Sequence, residues 1–395
     1  MIDLSREGFT HTEIVNMLHG AKQVIDFRFE LVTKDGIYKK DLKNIKDGSV
    51  DFDASVAIKR TASFTMTEDD DINYLSDRIR PFVRFFIDQR KMMPASQAFL
   101  SSRFAADMEK QMIGVNGWME FALGEFLLTS PSRVEVDDDF EREVEAYDAT
   151  VILQEDKFEE RWFIPSGLLV RDAVIEILES SGITRHDIQV TTMFVGDDIE
   201  FDIGKKKLEA VNEILRLGNY TELYTDEYGN CVAKEYINPI LLNYDYEYKT
   251  DRKSVVSPGY EEIIDYYKVP NKFIVIRSLP DRNPLVSRYT NNNPLSPTST
   301  VSRGRTIVAD PIIIESVQDQ MSLDLFVERI AFEQSQVFSE VIFETGLMPF
   351  HGYRNVLNVE FDGLLSNGKF MEQSWSTPFD IGGKMKHTVK RIIEI

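Results

Sequence analysis

Residues 50 to 58 read Val-Asp-Phe-Asp-Ala-Ser-Val-Ala-Ile, and this stretch decides the fold class. Apolar side chains occupy every second position and polar ones lie between most of them, which is the period of a β-strand with one buried face. The same alternation continues through Ala62, Phe64 and Met66. It predicts neighbouring strands of a sheet whose inner face packs into a core.

Short segments with the same strand character flank this stretch on both sides. Pro, Gly or acidic turns such as Lys34-Asp35-Gly36 separate them. The first group covers residues 24–31, 83–87, 119–128, 140–147 and 150–153, and the last group covers 273–278, 306–309, 340–345, 356–361 and 370–376. So many short strands at this spacing favour closed barrels or sandwiches.

Helical spacing appears at three places. Residues 10–21 form a short amphipathic segment with Thr10 or Thr12 as N-cap, and Ser322 begins a longer one that runs to about Val337. The middle of the chain contains two helices, one that Ser166 caps and Gly182 ends, and one from about Lys205 to Gly218, and then a hairpin at 222–234. This order predicts a small α/β module between two β-rich parts.

The predicted fold class is therefore α+β and mainly β. The predicted domains are an N-terminal helical segment at 1–22, a first β-barrel at 23–160, the α/β module at 161–240 and a second β-barrel at 241–395. Two segments lack strand periodicity: an insertion at 89–117 with a Met and Phe stripe, and a Pro- and Asn-rich loop at 280–305.

Composition limits the function. The 395 residues carry 45 Lys and Arg against 66 Asp and Glu, a formal charge of −21, so counterion release does not favour tight DNA binding. Cys231 is the single cysteine, which excludes an internal disulfide and indicates a packing residue. The first twenty residues lack a signal-peptide stretch, and no segment reaches the length of a transmembrane helix, so we expect synthesis in the cytoplasm and no membrane insertion.

Motifs for catalysis or cofactor binding are not found. The five histidines, which we expect to be surface or structural residues, fall in no zinc motif. The stretch from Gly363 to Lys369 has phosphate-loop spacing, but Phe370 replaces the Ser or Thr, so Asn367-Gly368 is predicted to be a hairpin turn. The acidic clusters at 68–71, 137–139 and 197–198 lack calcium-loop spacing. We therefore predict a non-enzyme with no catalytic, cofactor-binding or metal residues.

Several stretches resemble the hub, or tail-tip, proteins of tailed bacteriophages, and the resemblance extends over nearly the whole chain. They are Ile58-Lys-Arg-Thr-Ala-Ser-Phe-Thr-Met, Asp71-Ile-Asn-Tyr-Leu-Ser-Asp-Arg-Ile-Arg-Pro-Phe, Leu123-Gly-Glu-Phe-Leu-Leu-Thr-Ser-Pro, Val144-Glu-Ala-Tyr-Asp and Ser374-Trp-Ser. The resemblance implies a homotrimer in which two tube-like barrels per chain form a ring of six, with the α/β module outside it. Such a ring joins a sixfold tail tube to a threefold tip and lets DNA pass.

The same resemblance implies the partners and the location. They are a distal tail or tail tube protein, a tip, spike or fibre protein, and a tape-measure protein, in a virion whose parts are made in the host cytoplasm. Any cell-wall cleavage would then belong to another chain.

Two alternatives from other classes stay open. A cell-wall glycosidase or peptidase could use distant carboxylates that a sequence does not reveal. A carbohydrate-binding receptor module is the other alternative, for which the tyrosines at 244, 246, 248, 266 and 267 are the only indication.

Overall fold

The structure is a computed structural model of the chain. It describes residues 2–6, 9–20, 22–87, 117–129, 132–136, 139–265, 267, 269–278, 283–314, 317, 319–335, 339–365 and 367–395. The predicted insertion at 89–117 lies outside these residues except for Gly117.

In its described residues, the N-terminal part consists of one helix followed by strands. Helix α1 spans His11–Leu18, and Thr10 and Glu13 cap it reciprocally through their side chains, as the sequence predicted for Thr10. The strands are β1 Ile25–Val32, β2 Tyr38–Leu42, β3 Ile45–Asp53, β4 Arg60–Thr67, β5 Arg78–Phe86, β6 Trp118–Ala122, β7 Phe126–Leu128, β8 Ser132–Val136 and β9 Asp139–Tyr147.

The middle part combines helices and short strands around its own core, and we refer to it as the α/β module. Its elements are α2 Thr150–Glu155, β10 Trp162–Ile164, α3 Val170–Ser180, β11 His186–Ile188, β12 Ile199–Phe201, α4 Lys207–Leu217, β13 Tyr224–Thr225, β14 Cys231–Ala233 and a 3-10 turn Pro239–Leu241. Gly182 ends α3 as predicted, with φ +77°. Leu169, not Ser166, is the N-cap of α3.

The C-terminal part returns to strands. Its elements are β15 Tyr246–Lys249, β16 Val256–Ile264, β17 Lys272–Arg277, β18 Leu285–Thr290, α5 Thr300–Arg303, β19 Ile312–Ile314, α6 Gln320–Ser335, β20 Ser339–Thr345, β21 Val356–Glu360, β22 Gly368–Pro378 and β23 Met385–Arg391. Strands β17, β18 and β19 form a separate small sheet against α6.

One continuous sheet joins the first and last parts. Its order is β16-β20-β23-β22-β3-β4-β9-β7-β5-β1-β2, with β6, β8, β15 and β21 paired at its side. The joint is the antiparallel pair β3–β22, where Phe52 lies opposite Trp375 and the two rings stack 5.6 Å apart. The α+β, mainly β class is confirmed, but the strand pairing that the structure describes leaves the path open, so the closed barrels are not observed.

A strand predicted at 150–153 is wrong, because these residues form helix α2. Oδ1 of Asp148 accepts a hydrogen bond from the backbone N–H of Thr150 at 2.8 Å, and its carbonyl accepts one from Val151. This local turn directs the β-branched run into a helix, an outcome that a short apolar run does not reveal.

The predicted loop at 280–305 is wrong in part. Residues 285–290 form β18, which pairs with β17 in register from Lys272–Thr290 to Arg277–Leu285. The strand predicted at 306–309 is also wrong, because it is reduced to a single bridge between Val308 and Lys272. Pro and Asn residues lie on both sides of β18 and obscured its alternation of apolar and polar side chains in the sequence.

No helix in the described ranges is long and apolar enough to cross a membrane.

Candidate functional sites

A cluster of two histidines and one glutamate is buried in the C-terminal part. Glu372 lies on β22, His387 on the neighbouring β23, and His351 in the connection between β20 and β21. All three side chains are fully buried. It is the one group with metal-ligand spacing among the residues the structure describes.

Each polar atom of the cluster has a protein partner. Oε2 of Glu372 lies 2.6 Å from Nδ1 of His351, and Oε1 lies 2.8 Å from Nδ1 of His387. The opposite ring nitrogens contact hydroxyls: Nε2 of His351 is 2.6 Å from Tyr248 Oη, and Nε2 of His387 is 2.9 Å from Thr345 Oγ1. The cluster is therefore a closed hydrogen-bond network.

Burial shifts the acid–base properties of these groups. Desolvation raises the pKa of Glu372, since the charged carboxylate loses its water. Desolvation lowers the pKa of His351 to about 3 and also lowers the pKa of His387, although the hydrogen bond that Glu372 accepts from His387 opposes the second shift. The raised pKa of Glu372 and the lowered pKa values of the two histidines both disfavour an ionised carboxylate beside a charged imidazolium.

The cluster is enclosed and gives no access to a large substrate. The ring of Phe343 stacks on His387 at 4.9 Å, and Phe350 stacks on His351 at 4.8 Å. Cell-wall cleavage requires acids that a polymer can reach. The geometry therefore gives this cluster no role as the carboxylate pair of a glycosidase.

The other histidines have local structural contacts. Nδ1 of His11 accepts a hydrogen bond from the backbone of Leu4, and His19 contacts Tyr246 Oη and the carbonyl of Lys253. His186 lies 3.9 Å from the Glu179 carboxylate. None of these three contacts another histidine within the described ranges.

The remaining sequence candidates have structural positions. Gly363 lies in the connection between β21 and β22, and Gly368 and Lys369 begin β22, so a strand stands where a phosphate loop needs a helix. Gly368 pairs with Val359 as a strand residue, so the predicted two-residue turn at Asn367-Gly368 is not observed. Cys231 is fully buried and burial raises the pKa of its thiol, as expected for a packing residue. Tyr246 and Tyr248 are core residues, whereas Tyr267 is exposed. In the acidic cluster at 68–71, Glu68 pairs with Arg133, and Asp69 and Asp71 pair with Lys40.

A buried ionic network connects the sheet to the α/β module, and sequence analysis missed it. The side chain of Glu125, between β6 and β7, is fully buried and accepts from Arg78 at 3.0 Å, Arg80 at 2.6 Å and Arg185 at 2.7 Å. Arg185 belongs to the module, so this carboxylate links the two parts. Gly229 lets the β13–β14 hairpin approach it, because a Cβ there would lie 2.7 Å from Cβ of Glu125.

Two further buried contacts cross the same boundary. Lys59, 1% exposed, donates to Glu222 Oε2 at 2.8 Å. Oδ2 of Asp148 accepts from Thr225 Oγ1 at 3.1 Å and from the backbone N–H of Arg60. Charged groups are seldom buried without a specific partner, so these contacts fix the module against the sheet.

The main strand path of the sheet ends at β2 and at β16, and an exposed leucine lies beside each of these strands. Within the described residues, β2 pairs only with β1 and β16 only with β20. Lys39 binds Asp77 at 2.7 Å and so holds the turn that presents Leu75, which is 94% exposed, beside β2. At the other edge, Glu262 on β16 accepts from the backbone of Leu365, which is 81% exposed. Open edges and exposed apolar tips are features of assembly surfaces.

Comparisons with known proteins identify the fold. No family model and no curated protein matches the sequence. A tail protein from Neisseria meningitidis MC58 superposes with a TM-score of 0.64 at 9% identity, over 93% of this chain and 97% of that one. The 43 kDa tail protein of prophage MuSo2 from Shewanella oneidensis gives 0.59 at 10% identity, over 92% and 98%.

A third solved structure agrees with these two. Prophage tail protein gp18 from Listeria monocytogenes EGD-e gives a TM-score of 0.54 at 10% identity, over 92% of this chain and 94% of that one. The chain therefore shares the fold of these tail proteins, two of them from prophages, over 92–93% of its length. The resemblance drawn from the sequence motifs is confirmed at the level of the fold.

Proposed function

We propose that the chain is a structural protein of a bacteriophage tail and acts as the hub of the tail tip or baseplate. The observation that carries this proposal is the shared fold, which extends over 92–93% of the chain in three phage tail proteins and includes both β-rich parts and the module between them. An architecture retained at 9–10% identity is maintained by packing, which suits a scaffold.

We further propose that three copies close into a ring. Each copy presents one open edge at β2 and another at β16, at opposite ends of one sheet path. Different surfaces that meet head to tail generate a ring when the rotation closes. Contact between the β2 edge of one copy and the β16 edge of the next would cover both edges and the exposed Leu75 and Leu365. Six β-rich lobes from three chains would then match a sixfold tail tube above and a threefold tip below.

The charge of the chain is compatible with a passage for DNA. A formal charge of −21 per copy gives a surface that repels phosphate, so a duplex would move past without being held. The proposed partners are a distal tail or tail tube protein, a tape-measure protein, and a tip, spike or fibre protein. The proposed location is the virion, after synthesis in the host cytoplasm.

Light scattering of the purified chain over a concentration series, with negative-stain images of the same sample, tests the ring. We expect a mass of three chains, each 45.5 kDa, and particles with six lobes around a central hole. A monomer at every concentration, without rings in the images, would contradict the ring.

Leucine variants test which edges make the contact. Leu75→Asp and Leu365→Asp each place a charge where the neighbouring copy would cover an apolar side chain, so each should weaken trimer association at least about tenfold. Leu295→Asp is the matched control, because Leu295 is equally exposed, at 86%, but lies away from both edge strands in the sequence. Equal association of all three variants would refute the edge-to-edge contact.

A further inference from the structure

The hydrogen atoms around the buried Glu372 cluster can be counted from its partners, beginning with His387. The hydroxyl of Thr345 donates to the carbonyl of Gly346 at 2.7 Å. A hydroxyl has one hydrogen, so Thr345 Oγ1 acts as acceptor in its 2.9 Å contact with Nε2 of His387. Nε2 of His387 therefore carries a hydrogen.

The hydrogen position on His351 follows from its partners in the same way. The Tyr248 side chain is 1% exposed, and its hydroxyl contacts Nε2 of His351 at 2.6 Å. A buried phenol hydrogen without an acceptor is costly, so the hydroxyl donates to Nε2. Nδ1 of His351 then carries the ring hydrogen and donates to Oε2 of Glu372 at 2.6 Å. His351 is thus neutral and fully hydrogen-bonded.

One contact is left without a hydrogen by this count. Nδ1 of His387 faces Oε1 of Glu372 at 2.8 Å, and a neutral ring with its hydrogen on Nε2 would direct a lone pair at an anionic oxygen. One proton placed between Nδ1 of His387 and Oε1 of Glu372 removes this repulsion. We propose that Glu372 and His387 form a buried proton-binding site, which holds one proton more than an ionised carboxylate and a neutral imidazole would.

A metal ion at the same place does not fit the distances. Zinc binds nitrogen and carboxylate oxygen at about 2.0–2.2 Å, and tetrahedral ligands are then roughly 3.4 Å apart. The two nitrogen–oxygen distances to Glu372 are 2.6 Å and 2.8 Å, the length of charge-assisted hydrogen bonds. Nδ1 of His351 also carries a hydrogen, which removes it as a ligand.

Among the described residues, the groups that face the pair supply no counter-charge to it. Strand β15 faces it with Tyr248, and β20 faces it with Thr345 and Phe343. The charged group outside the cluster that acts on Glu372 is Asp245, and its negative charge favours protonation. The proton therefore balances the carboxylate locally.

This site makes folding of the C-terminal part depend on pH in both directions. Above about pH 7 the unfolded chain has an ionised glutamate and two neutral histidines at these positions, so folding takes up one proton. Each higher pH unit then raises the equilibrium constant of unfolding tenfold. Between about pH 4.5 and pH 6 both free histidines are protonated, so folding releases one proton and each lower unit favours unfolding tenfold. The contribution of the site is greatest near the pKa of free histidine.

The Glu372→Gln variant removes the extra proton but can keep the hydrogen bonds of the cluster. The amide oxygen can accept from Nδ1 of His351, and the amide N–H can donate to Nδ1 of His387, so the network closes without the extra proton. The variant should lose the tenfold alkaline dependence, and its acid dependence should steepen to a hundredfold per unit, since folding then releases two protons. Urea unfolding at a series of pH values, in a background with Trp118→Phe and Trp162→Phe, reports these slopes through Trp375, which lies opposite His387.

Glu344→Gln is the matched control, because Glu344 lies on the adjacent β20 but is 48% exposed and paired with Lys384. It should keep the wild-type slopes. Identical slopes for wild type and Glu372→Gln would overturn the proposal, as would a stoichiometric metal ion bound by the wild type. If Glu372→Gln does not fold, ¹⁵N-histidine NMR of the wild-type chain decides: His351 should show the neutral form with hydrogen on Nδ1, and a neutral form of His387 with no proton shared with Glu372 would refute the site.

Discussion

Replacing Glu125 by alanine should loosen the α/β module from the sheet. The carboxylate is fully buried and accepts from three arginines at 2.6–3.0 Å, two on β5 and one in the module. Arg80 would keep Glu30 and Arg185 would keep the carbonyl of Tyr228. For Arg78, Glu125 is the one acceptor observed within the part of the chain that the structure describes. Removal of one partner of a buried ion pair costs about 3–5 kcal/mol. We therefore expect the free energy that holds the module on the sheet to fall by about that amount.

Hydrogen exchange followed by mass spectrometry measures this loss where it should occur. The module strands β11, β13 and β14, which lie beside the network, should exchange about 100-fold faster or more in Glu125→Ala. Glu120→Ala is the matched control: Glu120 binds Arg28 on the same sheet, but Arg28 retains Glu30 and Asp41, so the loss should be about 1 kcal/mol or less. Equal exchange in both variants would refute the structural role of Glu125.

Two other predictions concern the joint between the β-rich parts and the single cysteine. Phe52→Ala removes the ring that stacks on Trp375 and should lower the free energy of unfolding, measured by urea titration, by about 3–5 kcal/mol. A loss below about 1 kcal/mol would contradict a stabilising role of this ring pair between β3 and β22. The Cys231 thiol, buried and with a raised pKa, should not react with a thiol reagent until the chain unfolds, and rapid reaction of the native protein would contradict its buried position.

Alternation was sufficient to predict most strands but not how they pair. The inward-facing Phe52 and Phe64 can be recognised locally, because strand period and burial depend on neighbouring residues. The β3–β22 joint pairs residues more than 300 positions apart, and no local pattern encodes such a contact. The sequence therefore predicted two separate barrels, whereas the structure has one sheet that passes through both β-rich parts.

The buried cluster was missed for a related reason. His351, Glu372 and His387 are 15 to 36 residues apart and have no motif spacing; they meet because two adjacent strands and a connection bring them together. The one available signal was Glu372, a charged residue directly after the buried Phe370 and Met371 of β22. A charge inside an apolar strand predicts a buried partner, but not which residue that partner is.

Several of the buried charges in the described residues lie where separate parts of the chain meet. Glu125, Lys59 and Asp148 lie between sheet and module, and Glu372 joins three segments of the C-terminal part. Apolar packing alone would hold these parts together, but it would tolerate small shifts in angle, whereas a buried ion pair loses several kcal/mol when its partners separate. The proposed hub, which would match a sixfold ring on one side and a threefold tip on the other, would need a fixed angle between its lobes. Burial of charge where the parts meet is a physical means of fixing that angle within one chain.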